Sequence, residues 1–277
     1  MTLLEAIILG LVQGLTEFLP ISSSAHLVIT QLLFNISFDG FGFEILLHLA
    51  SVLAVIIYYR KDLINIIRGF FGYIMTRSKE HKVNFWFSIY ILVATVITGL
   101  TGILFEDYIS TALKGPTMIA ISLALTGIFL IIIERAVKTG GRTEKDMTLF
   151  DAVLVGIGQS LALIPGLSRS GTTLVVGMFA GLTKETAVRY SFLLSIPVIL
   201  GSTVLAVDEL IHGELLEIAG ALPLTVAFIV TFISSLLGIV WFINFLKKSK
   251  LIYFAMYCFA LALFVYFFLG NVDPDQF

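Results

Sequence analysis

Apolar residues fill most of this chain, and polar ones either separate the apolar runs or interrupt two of them from inside. Six stretches, approximately 43–59, 85–105, 117–134, 188–207, 222–246 and 251–269, are long and apolar enough to cross a bilayer as helices. Two others, about 3–34 and 149–182, are apolar but broken near the middle at 20–24 and 165–170 by proline, glycine and serine. Each half is too short to span. The pattern predicts two helix–loop–helix hairpins that enter the membrane and return to the side they came from.

The two breaks are alike. Residues 10–26 read GLVQGLTEFLPISSSAH and residues 156–172 read GIGQSLALIPGLSRSGT. At a constant offset of 146, Gly10 aligns with Gly156, Gln13 with Gln159, Leu15 with Leu161, Ser22 with Ser168 and Ser24 with Ser170. Irregular backbone at membrane depth persists only where it is buried in protein or lines a watery cavity. Paired breaks in two halves of a chain therefore point to the functional site. The fold class expected is all-α integral membrane: six transmembrane helices plus two re-entrant hairpins, arranged as an inverted-topology repeat with halves of about 1–135 and 149–270.

Charge tests that topology. With both hairpins re-entrant, 14 of the 17 lysines and arginines fall on one side, Arg60, Arg77, Arg142, Lys145 and Lys247 among them. Arg189 sits just inside a span on that side. The other side holds Lys114 alone, against Asp39, Glu106, Asp107, Asp208, Glu209, Glu214, Glu217, Asp273 and Asp275. If either hairpin crossed fully, the basic loops would scatter over both faces. The positive-inside rule makes the basic side cytoplasmic and places both termini outside. Residues 62–75 read as an interfacial amphipathic helix with Asp62 and Arg68 on the wet side, and 138–148 as a mobile soluble loop.

Composition agrees: 58% of residues are hydrophobic and 13% charged, which excludes a water-soluble domain. The single cysteine, Cys258, excludes an internal disulfide and reads as a buried filler. The N-terminus lacks the basic region of a signal peptide. No basic face interleaved with aromatics suggests nucleic acid.

The chemistry concentrates in the breaks. Gln13 and Glu17 share one helical face, and an ionisable group inside the membrane is a functional-site candidate by default. Pro20 stops the helix, and Ser22, Ser23 and Ser24 precede His26. One serine suffices to cap the returning helix; the rest, with carboxylate and imidazole, are the parts of a nucleophilic or general acid–base site. In the second break Arg169 is the one cation not explained by a membrane surface. Ser168, Ser170, Thr172 and Thr173 surround it, and the following helix N-terminus also favours an anion. Arginine's planar fork suits phosphate oxygens; the competing reading is an Arg169–Glu17 salt bridge that merely joins the tips. Glu44 and His48 share a face of the 43–59 span; either could line the site, with packing the favoured reading for the histidine. His81 and His212 read as solvated loop residues, and Glu134 as a boundary pair with Arg135.

At these residues the chain resembles the undecaprenyl-diphosphate phosphatase family, also called bacitracin-resistance proteins. That family's first motif is met by Gln13 and Glu17, then Pro20, Ser22, Ser23 and His26; its second by Pro165, Gly166, Ser168, Arg169, Ser170 and Thr173. The resemblance implies a hydrolase of the bacterial inner membrane. It would remove the terminal phosphate of a C55 polyprenyl diphosphate to recycle the lipid carrier for cell-wall synthesis, with Mg²⁺ or Ca²⁺. In that setting Arg169, with Ser22, Ser168, Ser170 and Thr173, binds phosphate. Glu17 is base or cation ligand, Gln13 a second candidate ligand, and Ser23, His26 or an activated water the nucleophile. A polyprenyl-phosphate flippase without hydrolysis is the competing class, because inverted repeats with broken helices are also a transporter architecture. A second lipid-phosphatase superfamily, with a lysine–arginine–proline segment and a distal His–Asp pair, does not match.

Overall fold

The computed structural model describes residues 1–34, 36, 42–112, 115–136, 140–207, 215, 219–248 and 250–270, with side chains for all of these but 106–112 and 136. Lys114, Lys138, His212 and the acids Asp39, Asp208, Glu209, Glu214, Glu217, Asp273 and Asp275 lie outside the described residues. Eleven helices are described: α1 Leu3–Thr16, α2 Ser23–Phe34, α3 Gly42–Tyr58, α4 Arg60–Thr76, α5 Lys79–Ala112, α6 Pro116–Ala136, α7 Leu149–Leu161, α8 Arg169–Phe179, α9 Lys184–Leu205, α10 Ala221–Lys248 and α11 Ile252–Phe264. A π-helical turn, Val265–Leu269, extends α11. Among the described residues the sole β feature is one isolated bridge between Arg142 and Leu182.

Five helices are long and apolar enough to cross a membrane: α5, α6, α9, α10, and α11 with its extension. A sixth results if α3 and α4, bent by 77° at Tyr59, count as one broken span. The bend sets α4 off as the amphipathic helix expected over 62–75. Ile67, Phe71 and Met75 stand exposed on it, while Ile66 and Gly69 face the protein. Asp62 keeps 36% of its side chain exposed and accepts from Arg189 Nε at 2.8 Å.

Four helices are short. At about 1.5 Å per residue, α1, α2, α7 and α8 reach only about 17–21 Å, against a hydrocarbon core of about 30 Å. Both α1 and α7 open on a capping box. Thr2 accepts from the Glu5 amide at 3.2 Å while Glu5 accepts from the Thr2 amide at 2.8 Å; Thr148 and Asp151 repeat the exchange at 3.4 and 2.7 Å. These reciprocal bonds satisfy amides that a helix start leaves orphaned.

Two of these short helices lie against long ones distant in sequence: α1 along α10 and α7 along α5. Small residues permit the approach, as in membrane helix pairs generally. A Cβ on Gly10 would come within 2.8 Å of the Ala227 carbonyl oxygen, and one on Gly156 within 3.0 Å of the Ala94 Cα. The largest apolar cluster joins Phe18, Val55, Phe87, Leu130, Phe192, Phe242 and Phe254, while large apolar residues such as Leu104, Val204, Leu237 and Phe268 cover the outside. Inside-out burial of this kind, with nineteen polar or charged residues buried among the described ones, suits a lipid solvent.

Three edge residues differ from expectation. Residues 140–148 are held in place: Arg142 donates to Asp151 Oδ2 at 2.6 Å, to the Ala180 carbonyl at 2.6 Å and to the Asp146 carbonyl at 2.7 Å. Glu134 accepts from the Leu251 amide at 3.0 Å, so it caps the start of α11 instead of pairing with Arg135. His81 lies on the first turn of α5, which is already helical at Lys79, and packs against Gly72. Helix capping and close packing satisfy these groups better than open solvent does.

Candidate functional site

Two turns carry the site. Chain 17–22 joins α1 to α2, and Ser22 closes it in a left-handed conformation with φ 69°. Such backbone is unfavourable for an L side chain, and the Ser22 hydroxyl offsets the cost by accepting from the Ala25 amide at 3.3 Å, capping α2. Chain 162–168 joins α7 to α8, with Gly166 supplying a positive φ of 85°. A side chain there would also crowd α6, since a Cβ would meet Ile119 Cα at 3.1 Å. Ser168 caps α8 by accepting from the Gly171 amide at 3.1 Å.

The turns meet. Ser170 donates to the Leu19 carbonyl at 2.8 Å, and Arg169 Nη2 ion-pairs with Glu17 Oε1. Glu17 is the hub. Its Oε2 accepts from Ser23 Oγ at 2.7 Å and from Gln13 Nε2 at 2.9 Å, and lies 3.4 Å from His48 Nε2. Phe18, fully buried, backs this arrangement edge-on against Phe192 at 5.1 Å. Only 3% of the Glu17 side chain is exposed, against 17% of Arg169 and 26% of His48, so the open edge of the site lies on Arg169 and His48.

Two unsatisfied atoms flank the carboxylate. Gln13 Oε1 and Arg169 Nη1 are buried without a hydrogen-bond partner, two of only four such atoms among the described residues. A buried donor or acceptor left unpaired is costly, and these two border the same acid. Arg169 thus spends one nitrogen on Glu17 and keeps another free for an incoming acceptor. The bidentate fork described for anion recognition is half occupied.

The predicted residues divide into two groups. Gln13, Glu17, Ser23 and Arg169 converge. Ser22, Ser168, Ser170 and Thr173 stand beside them, but their hydroxyls are largely committed to the framework. Ser22 contacts Ser24 Oγ at 3.2 Å, Ser168 contacts Ser170 Oγ at 3.3 Å, and Thr173 bonds to Ser191 Oγ at 2.6 Å and donates to the Arg169 carbonyl at 2.9 Å. His26 is turned elsewhere: its Nδ1 donates to the Ser22 carbonyl at 2.6 Å and its Nε2 bonds to Tyr257 Oη at 2.7 Å, so neither nitrogen bonds to Glu17 or Arg169. Of the two readings open for His48, the structure favours the site, since its Nε2 lies beside Glu17. Tyr257 carried no signal in the sequence, where it is one more aromatic in an apolar span.

A divalent cation finds a partial donor set. No group of three or more histidine, cysteine or acidic side chains is placed to hold a metal among the described residues. Glu17 with the unpartnered Gln13 Oε1 offers one carboxylate and one amide oxygen. That suits a hard cation that keeps most of its waters and shares phosphate oxygens, and does not amount to an all-protein cage.

Fold and site together define a multi-pass helical membrane protein whose acid–arginine pair joins two short-helix turns. The chain belongs to the family described as Bacitracin resistance protein BacA, which it matches over residues 6–264. It is 67% identical over 276 residues to Undecaprenyl-diphosphatase 1 of Shouchella clausii, covering 99% of this chain and 100% of that protein. It is 62% identical over 271 residues to Undecaprenyl-diphosphatase 2 of Halalkalibacterium halodurans, covering 98% of each. Undecaprenyl-diphosphatase 3 of Bacillus anthracis is 45% identical over 267 residues, covering 96% of this chain and 98% of that one.

Proposed function

We propose that this protein hydrolyses undecaprenyl diphosphate to undecaprenyl phosphate and inorganic phosphate in the bacterial plasma membrane, recycling the lipid carrier used for cell-wall synthesis. The observation that carries the reading is the free, buried Arg169 Nη1 beside a Glu17–Ser23 hydrogen bond. A guanidinium awaits an anion where a hydroxyl already donates to a base. The names of the relatives point to the same substrate.

In this mechanism the isoprenoid tail stays in lipid and the diphosphate enters between the two turns. Arg169 Nη1 binds the terminal phosphate, helped by amides at the α8 N-terminus. Ser23 Oγ attacks phosphorus; the Oγ–P bond forms, the bridging P–O bond breaks, and undecaprenyl phosphate leaves. Glu17 accepts the Ser23 proton. Water then attacks the phosphoserine, releasing inorganic phosphate and restoring the hydroxyl. A carboxylate paired with arginine is a weak base, but phosphoryl transfer has a loose transition state that asks little of the base and much of positioning and charge. Ser23 is preferred to His26 as nucleophile because both His26 nitrogens already have partners. A Mg²⁺ or Ca²⁺ ion, held by Glu17 and Gln13, would neutralise charge on the diphosphate. Ser22, Ser168, Ser170 and Thr173 shape the phosphate pocket, chiefly by holding the two turns.

The reading includes a topology. The pairs α1–α2 and α7–α8 are re-entrant hairpins of inverted halves, about 1–135 and 149–270, with both termini outside and the mouth facing the outer leaflet. Their lengths, the Thr2 and Thr148 capping boxes 146 residues apart and the one-sided basic residues support it. Impermeant thiol labelling of a Lys145→Cys, Cys258→Ser variant should fail in intact cells and succeed in inverted vesicles; labelling in intact cells reverses the orientation.

Phosphate release from undecaprenyl diphosphate by purified protein tests the activity. No release with either cation, together with lipid movement in vesicles that Arg169→Ala abolishes, would favour a flippase. Acid quenching with labelled terminal phosphate should trap an adduct in the wild type and not in Ser23→Ala. Persistence in Ser23→Ala with loss in His26→Ala transfers the nucleophile to His26; no adduct under any quench assigns it to water.

A further inference from the structure

Tyr257 is 45% exposed on the outer side of α11, where an aromatic residue ordinarily covers lipid or marks the membrane surface. Its hydroxyl instead bonds to a side chain of α2. The ring lies parallel to His26, 8° from coplanar with centroids 5.5 Å apart, and Oη is 2.7 Å from His26 Nε2. The other ring nitrogen settles the hydrogen's direction. A carbonyl can only accept, so Nδ1 carries a proton towards Ser22 O, and in the neutral ring Nε2 is left to accept from Tyr257.

That carbonyl matters because it belongs to the peptide linking Ser22 to Ser23. The peptide follows the left-handed Ser22, a conformation that persists only where its surroundings over-determine it. It also sets the direction from which Ser23 Oγ reaches Glu17. The neighbouring residue of α11 grips the same turn: the buried Cys258 contributes a weak contact to the Pro20 carbonyl at 3.8 Å. Two consecutive side chains of one helix therefore bear on one turn, Cys258 directly at the Pro20 carbonyl and Tyr257 through His26 at the Ser22 carbonyl.

We propose that Tyr257 is a positioning residue of the hydrolytic site, acting through His26 on the Ser22–Ser23 peptide to aim the Ser23 hydroxyl at Glu17. The role rests on the function proposed above, with Ser23 as nucleophile. Tyr257 touches neither substrate nor the reacting atoms; it fixes the imidazole tautomer, as a partner on the far nitrogen does in other histidine sites.

Tyr257→Phe removes one oxygen and keeps the ring, and the melting temperature in detergent verifies that the variant folds. Expected is a fall in kcat of about tenfold with KM unchanged within about twofold, the pattern of a lost transition-state alignment. In a His26→Gln background the same substitution should cost less than twofold, because the route through the imidazole is already cut. Unchanged kcat in Tyr257→Phe, or a rise in KM with kcat kept, overturns the proposal; the latter would make Tyr257 a contact for the isoprenoid. Histidine ¹⁵N resonances of substrate-free protein give an arm independent of catalysis. The wild type should show His26 protonated on Nδ1, and Tyr257→Phe should shift its Nε2 towards a free acceptor. A wild type protonated on Nε2, or His26 signals unmoved by Tyr257→Phe, sinks the latch even if the chain hydrolyses nothing. Normal latch spectra in a protein without phosphatase activity would sink the function alone.

Discussion

The two turns start from one plan and end with opposite chemistry. Both follow a helix begun by a threonine capping box, both run through glutamine at the same offset, and both carry a serine that caps the returning helix. At the position equivalent to Glu17 the second half has Leu163, which lies against Gly102 of α5; at the position equivalent to Arg169 the first has Ser23. Gln13 bonds to the acid, whereas its counterpart Gln159 bonds to Thr98 of the framework helix at 2.9 Å. The first turn is the more deeply enclosed, buried at every residue of 17–22 but Leu19, while 162–165 of the second are half-buried and its buried hydroxyls, Ser170, Thr172 and Thr173, lie on α8. The base of the second is tied down by Arg142, while Glu5 at the first base bonds within its own capping box. One turn supplies a fixed cation, the other the acid and hydroxyl that act beside it. Two turns that meet need this divergence, because two identical acids or two identical cations at the meeting point would repel.

Breaking the pair should be most damaging from the cationic side. Arg169→Ala should lower kcat/KM for undecaprenyl diphosphate by about 10^4-fold, in the range of an arginine that stabilises a transferring phosphoryl group. Arg169→Lys should recover little, since an ammonium cannot hold Glu17 and phosphate through one rigid fork. Phosphate-release kinetics measure both. From the other turn, Glu17→Gln should cost about 10^3-fold, the loss of a base together with the group that orients Arg169. A residual activity equal to the wild type would remove Glu17 from the chemistry. His48→Leu should cost about tenfold, with His48→Gln recovering most of it by keeping a polar group beside Glu17; equal losses in the two variants would make His48 a packing residue.

Stability tests the bases of the two turns. Arg142→Ala strands a buried Asp151, whose side chain is 3% exposed, and should destabilise by about 2–3 kcal/mol even after allowance for the half-open arginine. Glu5→Gln removes one capping carboxylate from a solvent-facing helix start and should cost under about 1 kcal/mol. Thermal unfolding in detergent reads the difference, and equal losses would mean that both bases are anchored alike.

How much of this was readable depends on how a residue stands out from its neighbours. Glu17 and Arg169 announce themselves because ionised groups are rare in apolar sequence, and the serines because they repeat at a fixed offset. The helix lengths follow from apolar runs, and the bend at Tyr59 from the change to an amphipathic pattern. His48 does not stand out: a histidine in an apolar helix looks the same whether it packs or faces an acid, and only the approach of α1 decides. Tyr257 is hidden for a similar reason, since what its hydroxyl meets depends on the rotation of α11. Arg142 and Glu134 look like ordinary surface charges, and their partners lie 9 and 117 residues away.

The separation between Glu17 and its counter-ion has a bearing on biogenesis. Arg169 is 152 residues further along the chain, so at about 5–20 residues per second it leaves the ribosome roughly 8–30 s later. Throughout that interval the carboxylate has no guanidinium to accompany it into the hydrocarbon, where an unpaired charge is expensive. In the topology proposed, the earlier hairpin must wait near the aqueous boundary and sink to its final depth only after the later one arrives, which makes docking of the two turns the closing event of assembly.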